Sequence, residues 1–338
     1  MVRLIALWLT LCGFVCPGFA EERPGLPAKE AAEGWLMLFD GTTTFGWTIQ
    51  GKAAVKDGCL VLGGDQETLA TTNASFGRVA VAFDAHAQGG NGVRLVLGSR
   101  EEMLPAASSK GLTRCAFVLD MAMQAAPIQF RVPAGTSLTL KDLRCLPLGL
   151  KPVFTGKDLA GWKELSGSRA RFEAGDGELH LRAGPGDLQS AEQWADFVLQ
   201  LDVKTRGPQM NAGVLIRGQP DQAGSGYEVQ IRNQWQGDDR TRVVDYGTGG
   251  IHNRVPARLI AANDGEWSTM TVMAHGRTIV VWINGYPVCE FTDTRVQGKT
   301  ASQGAKLDRG PIAIHGDDRN LDVSFRNIKL AELPRPKP

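Results

Sequence analysis

Apolar and polar residues alternate with a period of two along most of this chain, and that alternation predicts strands. In residues 197–204 every second side chain is apolar, which is the pattern of a half-buried strand. Residues 279–283 run directly into Asn284-Gly285, the strongest short signal for a β-hairpin. With 41 glycines and no long helical period, the chain is predicted to be all-β and built from β-sandwiches.

The strand pattern occurs twice. Residues 38–47 and 153–162 share a Phe, a Gly and a closing Gly-Trp, and each segment is followed by an Asp-Gly turn and a short apolar strand. The two copies also end on similar strands. Because a repeated unit marks a duplicated domain, we predict two tandem sandwiches, over residues 34–147 and 150–333.

The N-terminus has the composition of a targeting segment. Arg3 precedes an apolar run that ends near Cys16, and small residues follow before Glu21. This pattern predicts a secretory signal peptide over residues 1–20 and a secreted or periplasmic protein. Residues 21–33 are polar and contain proline, so they are predicted to be a linker. No later apolar stretch approaches the ~20 residues that span a bilayer.

Charge and cysteine content narrow the functional classes. The formal net charge of +1 provides no field for nucleic acid or an anionic membrane. Four cysteines would remain after cleavage, and both disulfide pairing and isolated buried thiols are open.

Known catalytic motifs narrow the classes further. The sequence has no nucleophile elbow, phosphate loop, dinucleotide fingerprint or zinc-peptidase motif. These absences argue against esterases, kinases, dehydrogenases and zinc peptidases, and they leave carbohydrate chemistry or carbohydrate binding. No cofactor is predicted. Calcium at Asp317, Asp318 and Asp322 is a lesser alternative, because their spacing lacks the alternation of a calcium loop.

One strand of the second copy concentrates polar groups. Over residues 226–232, alternation directs Tyr227, Val229 and Ile231 to the core and leaves the intervening residues on the other face, namely Glu228, Gln230 and Arg232. A neighbouring strand over residues 211–218 begins at Asn211 and is predicted to point Arg217 outward. If the two strands pair, this face could hold the hydroxyls and carbonyl of a sugar. A solvated face with a cross-strand Glu–Arg pair is the alternative.

A long segment over residues 233–267 is present in the second copy and absent from the first. It contains Trp235, Asp245, Tyr246 and His252, and long loops with aromatic and polar residues on a β scaffold favour binding. Simple packing of Trp235 and a structural role for His252 are the alternatives. A further histidine, His315, follows a short apolar run near the end of the chain.

The motifs of the second copy resemble those of a known family. They stand at residues 154–162, 211–218, 226–231, 265–267, 283–285 and 325–328. Together they resemble the 3-keto-disaccharide hydrolase domain family, formerly a domain of unknown function, over nearly all of residues 151–333. The resemblance implies two concanavalin A-like jelly-roll sandwiches in tandem, the first a degenerate copy. The sequence departs from the family at Asn233, where an aspartate is usual, and at His315 and Asp317, where a glutamine and a histidine are usual.

The resemblance also implies a chemistry. A ketone at C3 of a sugar acidifies the C2 proton, whose removal lets the C1 oxygen leave before water adds back. On this basis Glu228 is predicted as base or acid, Arg217 as the contact to the enolate, and His252 or His315 as the second proton-transfer group. Predicted substrate-binding residues are Gln230, Arg232, Asn211, Trp235, Tyr246 and Asp245. Direct displacement, with Asp245 or Asp317 as a second acid, is an alternative mechanism.

An exported hydrolase of 3-keto-disaccharides or other 3-keto-glycosides is therefore the first functional hypothesis. A lectin-like protein that binds glycans without catalysis is the alternative. The first copy lacks the Glu-x-Gln strand, so it is predicted to be a non-catalytic adhesion or packing module. Deleting residues 34–147 is predicted to leave any turnover intact.

Overall fold

The structure is a computed structural model that describes residues 25–89, 92–105, 111–120 and 124–334. Within those residues the chain is all-β apart from one short helix, α1 (Ala28–Glu33). The predicted fold class, two tandem jelly-roll sandwiches, is confirmed. The predicted signal peptide over residues 1–20 lies outside the described residues.

Over its described residues, the first sandwich has two antiparallel sheets built from eleven strands. They are β1 (Leu36–Met37), β2 (Trp47–Gln50), β3 (Ala53–Lys56), β4 (Cys59–Gly64), β5 (Thr68–Phe76), β6 (Arg78–Gln88), β7 (Arg94–Leu97), β8 (Arg100–Met103), β9 (Thr113–Asp120), β10 (Ala126–Val132) and β11 (Thr136–Pro147). One sheet has the order β3-β4-β11-β6-β9 with β1 beside β11, and the other has the order β2-β5-β10-β7-β8.

The second sandwich continues the numbering. Its strands are β12 (Lys151–Pro152), β13 (Trp162–Glu164), β14 (Arg171–Gly175), β15 (Glu178–Arg182), β16 (Gly186–Trp194), β17 (Phe197–Thr205), β18 (Ala212–Ile216), β19 (Tyr227–Ile231), β20 (Trp235–Gln236), β21 (Asp239–Val243), β22 (Ser268–His275), β23 (Thr278–Ile283), β24 (Tyr286–Thr292), β25 (Gly310–Gly316) and β26 (Asp322–Glu332). The large sheet has the order β14-β15-β26-β17-β22-β23-β24 with β12 beside β26, and the smaller sheet has the order β13-β16-β25-β18-β19.

The two sandwiches share one topology. Each strand from β1 to β8 has a counterpart eleven strands later, and β9, β10 and β11 correspond to β22, β25 and β26. In the described residues the second sandwich adds the β20–β21 hairpin and extends its large sheet with β23 and β24. This shared strand order provides a register in which residues of the two copies can be compared directly.

Tight turns set the register of the predicted hairpins. Asp57 and Gly58 join β3 to β4, Asp176 joins β14 to β15, and Asn284-Gly285 joins β23 to β24, all at positive φ. Two successive residues with positive φ form the turn whose twist matches antiparallel strands, and Asn, Asp and Gly adopt it at the lowest cost. The three hairpins predicted from these dipeptides are therefore confirmed.

Strand β17 differs from its prediction as a half-buried strand. Its inward side chains, Phe197 among them, are in the core of the second sandwich, but Val198 and Gln200 on the opposite face are also buried. The first sandwich covers this outer face, where Val198, Met273 and Trp282 pack with its core. A half-buried pattern was expected because the sequence does not specify which surface a second domain will cover.

Hydrogen bonds also cross the interface between the sandwiches. The Trp282 indole donates to the Met37 carbonyl at 3.0 Å, and Met37 N donates to the Gly285 carbonyl at 2.8 Å. Part of the segment predicted to be a linker joins this interface, because Leu26 N donates to the Asn284 carbonyl at 2.9 Å and α1 follows directly. The two sandwiches therefore share a continuous packed interface.

The four cysteines in the described residues are free thiols, and three of them, Cys115, Cys145 and Cys289, are buried. Burial raises the pKa of the Cys289 thiol to about 12, so it stays protonated at neutral pH. These cysteines are therefore isolated thiols on strands, and they do not form the disulfide pair that was the alternative.

Candidate functional site

The candidate site lies on the outer face of the smaller sheet of the second sandwich. Strands β18 and β19 pair, which is the condition that the sequence left open, with Gly213 opposite Gln230 and Leu215 opposite Glu228. On the other side of β18, His315 of β25 lies opposite Gly213, and Asp187 of β16 lies opposite His315. Four neighbouring strands therefore place Asp187, His315, Gly213 and Gln230 in one transverse row.

Glu228 bends across this row because Gly213 has no side chain. A Cβ atom on Gly213 would lie 2.6 Å from the Glu228 carboxylate, closer than any real contact of that kind. The φ of Gly213 is not in the left-handed region, so the glycine is required for space and not for backbone conformation. The carboxylate thus occupies a hollow between Gln230 and His315, and it is 15% exposed.

His252 approaches the same carboxylate from the long segment. The backbone of residues 249–252 lies along β19 and is held there by hydrogen bonds, including His252 N to the Glu228 carbonyl at 2.9 Å. The imidazole Nδ1 is 2.8 Å from Glu228 Oε2, and the Tyr246 ring packs edge-on against the imidazole at 5.1 Å. The segment therefore brings together three predicted residues, Glu228, His252 and Tyr246.

His315 forms a second imidazole–carboxylate pair, with Asp187. Asp187 is buried and accepts a hydrogen bond from Gly224 N at 2.6 Å, while its other oxygen is bonded to His315 Nδ1. Burial lowers the pKa of His315, but the hydrogen bond to Asp187 and the nearby charges of Asp187, Glu228 and Asp317 raise it above its ordinary value overall. His315 is thus biased toward the imidazolium form, beside the Glu228 carboxylate.

At the β19 end of the row, the amide group of Gln230 contacts that of Asn211. Gln230 Nε2 donates to Asn211 Oδ1, and Asn211 Nδ2 is 3.4 Å from the Asp317 carboxylate. Gln230 Oε1 is buried and has no hydrogen-bond partner among the described residues. A carboxylate only accepts hydrogen bonds, so Asp317 fixes the Asn211 amide with its nitrogen toward Asp317 and its oxygen toward Gln230. Gln230 therefore uses its amide nitrogen in this contact, and its carbonyl oxygen remains an unused acceptor next to the site.

Arg217 does not belong to the site, and its predicted role as the enolate contact is wrong. The backbone at Arg217 has φ +53°, which ends the alternation of β18 and turns the side chain into the protein. Its guanidinium is 1% exposed, forms a salt bridge with Asp196 at 2.9 Å, and donates to the carbonyls of Ala195, Gly276 and Lys306. Arg217 therefore ties strands and turns together within the fold.

The other predicted binding residues lie in and beside the β20–β21 hairpin. Arg232 donates to Asp245 Oδ2 and to Gln234 Oε1, both at 2.9 Å. The Trp235 ring packs under the Arg240 guanidinium at 4.3 Å. These contacts support the packing alternative for Trp235, and they pair the charges of Arg232 and Asp245 with each other.

The positions that depart from the family pattern have structural explanations. Asn233 is buried, and its amide donates to Thr205 and Asp264 and accepts from Thr248, so it connects the start of the long segment to the large sheet. Asp317 and Asp318 are hydrogen-bonded to Asn211, while Asp322 is paired with Arg206. Among the described residues, no group of three or more His, Cys, Asp or Glu side chains is placed to hold a metal ion.

Sequence reasoning missed Asp187 and Gly213. Asp187 precedes the inward Leu188 in β16, so alternation alone puts it on the outer face. What alternation does not provide is the register of β16 against β25, which brings Asp187 opposite His315. Gly213 lies within the motif of residues 211–218. Its importance comes from the space that it leaves for the Glu228 side chain, and the sequence does not show that Glu228 lies over it.

The chain is similar to a known family of domains. The family model described as the 3-keto-alpha-glucoside-1,2-lyase-like domain matches residues 149–331, more than half of the chain. No curated protein matches the chain.

Several solved structures superpose on part of the chain. A proposed glycosyl hydrolase from Parabacteroides distasonis has 23% identity and a TM-score of 0.45, covering 55% of this chain and 100% of its own. A carbohydrate-binding module of family 66 from Bacillus subtilis has 11% identity and a TM-score of 0.37, covering 51% and 96%. Overlap at these TM-scores supports no conclusion about function.

In the part of the chain that the structure describes, no helix has the length and apolar character needed to cross a membrane.

Proposed function

Because the chain belongs to the family of 3-keto-alpha-glucoside-1,2-lyase-like domains, we propose that its second sandwich cleaves glycosides whose sugar carries a ketone at C3. The family match confirms the resemblance identified from the motifs of residues 151–333. It also favours elimination across C1 and C2 over direct displacement as the bond-breaking step. From the composition of the N-terminus we further propose that this activity takes place outside the cytoplasm.

The observation that carries the proposal is the placement of two imidazole–carboxylate pairs on one sheet face. The Glu228 carboxylate occupies the Gly213 hollow and pairs with His252, and His315 pairs with Asp187 on the neighbouring strands. Elimination next to a ketone needs a base for the C2 proton and a donor for the oxygen on which charge develops. The two pairs provide one group of each kind within a single binding face.

The residues can be assigned to steps that balance. Glu228 takes the C2 proton, and the electrons of that C–H bond form an enolate over C2 and C3, with negative charge on the ketone oxygen. When the enolate returns to the ketone, the C1–C2 double bond forms and the C1–O bond breaks. The departing oxygen takes up a proton from the Glu228–His252 pair, so no net proton is lost. His315, held by Asp187, donates a hydrogen bond to the ketone oxygen as negative charge develops there. Water can then add to the unsaturated sugar, which makes the overall reaction a hydrolysis.

The first test is release of the aglycone from a 3-keto-glucoside by the full-length protein. We expect release from the 3-keto compound and none from the unoxidised glucoside, because without the ketone the C2 proton is not acidic. Glu228→Gln should lower turnover by about 10²–10⁴-fold, the usual contribution of a general base. The matched control is Glu192→Gln, which changes an exposed carboxylate elsewhere in the second sandwich. Equal turnover by Glu228→Gln and the parent would contradict the assignment.

A second candidate function is glycan binding without turnover. It is favoured by the burial of Arg217 and by the pairing of Arg232 with Asp245, which together leave fewer cations on the binding face than the sequence predicted. Calorimetric titration with the same 3-keto-glucoside and its parent distinguishes the two functions. Binding of both sugars with no aglycone release from either would favour the lectin-like function.

A further inference from the structure

A loop of the first sandwich forms an ion pair with an arginine of the second sandwich. Asp40 lies between β1 and β2, and its carboxylate is 1% exposed. It accepts hydrogen bonds from the backbone N–H groups of Thr42 and Thr43, at 2.8 and 2.6 Å, and from the Thr43 hydroxyl at 2.6 Å. Burial raises the pKa of Asp40, but these bonds and Arg258 outweigh it and lower the pKa below its ordinary range. The loop therefore presents a fixed, buried carboxylate to the neighbouring domain.

Arg258 is the residue that this carboxylate binds. Its Nη2 atom is 2.8 Å from Asp40 Oδ2 and 3.4 Å from the Thr43 hydroxyl. The guanidinium lies 4.4 Å from the Phe45 ring centre and 5.6 Å from that of Tyr286. We call this set, Asp40, Thr43, Phe45 and Tyr286 around Arg258, the Arg258 clamp. Three of its four holding residues belong to the first sandwich.

Arg258 directly follows the segment that carries His252. Ala257 N donates to the Tyr246 carbonyl at 2.8 Å, and Tyr246 is the residue whose ring packs on His252. Ile251 N and Val255 N each bond to the other residue's carbonyl, at 2.9 and 3.0 Å, which closes a tight loop around His252. A shift at Arg258 would therefore be transmitted through backbone bonds to His252 and its contact with Glu228.

The clamp uses the motif by which the duplication was detected, at positions where the two copies differ. In the opening motif of the second copy, Thr155 stands where the first has Asp40, and Ala160 stands where the first has Phe45. The carboxylate and the ring that hold Arg258 are thus present in the first copy and absent from the corresponding positions of the second. The opening loop of that copy has become a contact surface for its partner domain.

We propose that the first sandwich positions the His252 segment, residues 246–257, for catalysis through the ion pair between Asp40 and Arg258. This inference rests on the proposed function and deepens it: Asp40 and Arg258 are positioning residues that do not touch substrate. It also replaces the expectation that the first sandwich is dispensable for turnover.

The test compares the full-length parent with Asp40→Asn, by two independent readouts. The chain has five histidines, so the imidazole proton signals in NMR spectra can be assigned by substituting each histidine once. We expect the His252 signal of Asp40→Asn to shift, while the His180 signal stays in place. On a 3-keto-glucoside we expect kcat to fall about tenfold with KM changed less than about twofold, the signature of lost positioning.

The matched control is Glu30→Gln. Glu30 pairs with Arg144, which also lies over an aromatic ring, that of Trp35 at 5.2 Å, and none of these three residues belongs to the Arg258 clamp. A double-mutant cycle with Arg258→Gln adds a check, because the double variant should be no worse than either single one if both act through one pair. Phe45→Ala, which installs the residue of the second copy, tests the clamp without removing a charge should Asp40→Asn not fold.

The outcomes separate the clamp from the proposed function. A shifted His252 signal in Asp40→Asn or Phe45→Ala, with Glu30→Gln unchanged, supports the clamp even if the parent shows no turnover. An unchanged His252 signal in a folded clamp variant overturns it, even if turnover is high. Equal shifts in Glu30→Gln would also overturn it, because the effect would then be a general loss of packing.

Discussion

Glu101 in the first sandwich and Glu228 in the second occupy the same register of the shared topology. Glu101 lies opposite Val96 on β7, and Glu228 lies opposite Leu215 on β18. The sequence analysis found no Glu-x-Gln strand in the first copy, and the structure adds that the glutamate itself is present, with Met103 in place of the glutamine. The two copies therefore share one polar position and differ in its surroundings.

Those surroundings explain why one glutamate is a candidate catalyst and the other is not. Where the second sandwich has Gly213, the first has Arg94, which binds Glu101 at 2.7 Å. Where the second has His315, the first has Arg131, 3.9 Å from the same carboxylate, and Leu69 replaces Asp187. Glu101 is thus neutralised by two arginines on an exposed face. A few positions on one sheet face therefore separate a candidate site from an ordinary surface, while the fold stays the same.

The largest effect should follow from removing the first sandwich. Without it, Val198, Met273, Val280 and Trp282 would be exposed on the outer face of the large sheet. Exposing each side chain costs about 1.5–3 kcal/mol, and a domain is stable by only about 5–15 kcal/mol in total. We expect a fragment of residues 150–338 to aggregate or to lose cooperative unfolding, measured by circular dichroism during heating. A soluble fragment with full turnover would restore the simpler view of two independent modules.

The next largest effect should come from converting the second site into the first. Gly213→Arg would fill the hollow and pair with Glu228 as Arg94 pairs with Glu101. We expect turnover to fall by at least about 10³-fold, because the base loses both its space and its free charge. Gly175→Arg is the control, since a Cβ on Gly175 meets nothing within 4 Å. Turnover near the parent level in Gly213→Arg would mean that Glu228 does not act from the observed position.

A smaller effect is expected from Asp187→Asn, which removes the partner that Leu69 replaces in the first copy. The raised pKa of His315 keeps its imidazolium form populated to higher pH than in an ordinary histidine, and that form is lost as pH rises through the folded-state pKa. Without the Asp187 charge the pKa of His315 falls, so the alkaline limb of kcat/KM should move to lower pH. Glu178→Gln, beside His180, is the control. An unmoved limb would remove His315 from the mechanism.

The smallest effect is expected from Glu101→Gln in the first sandwich. Exposed ion pairs contribute about 0–1 kcal/mol, so the change in unfolding free energy should be at the limit of measurement, and turnover should stay within about twofold of the parent. Thermal unfolding and aglycone release check both expectations. A large loss of turnover in Glu101→Gln would show that the exposed face of the first sandwich takes part in catalysis.

Much of the fold and part of the site could be predicted because they depend on local periodicity. Alternation in residues 226–232 determines that Glu228 and Gln230 face away from the core, and the Asp-Gly and Asn-Gly dipeptides determine three hairpins. Arg217 could not be placed in this way. Alternation predicts that the Arg217 side chain points outward. The left-handed backbone of Arg217 at the end of the strand instead turns the side chain inward, where Asp196 and three carbonyls bind its guanidinium.

The all-β class, the duplication and the glutamate that is central to the candidate site follow from the sequence alone, because each depends on neighbours along the chain. Which residues surround that glutamate depends on the folded structure. Asp187, Gly213 and His315 come from three strands separated by long stretches of chain, and their alignment depends on strand register. The contact of Asp40 with Arg258 depends on how two folded domains pack, which no local pattern encodes.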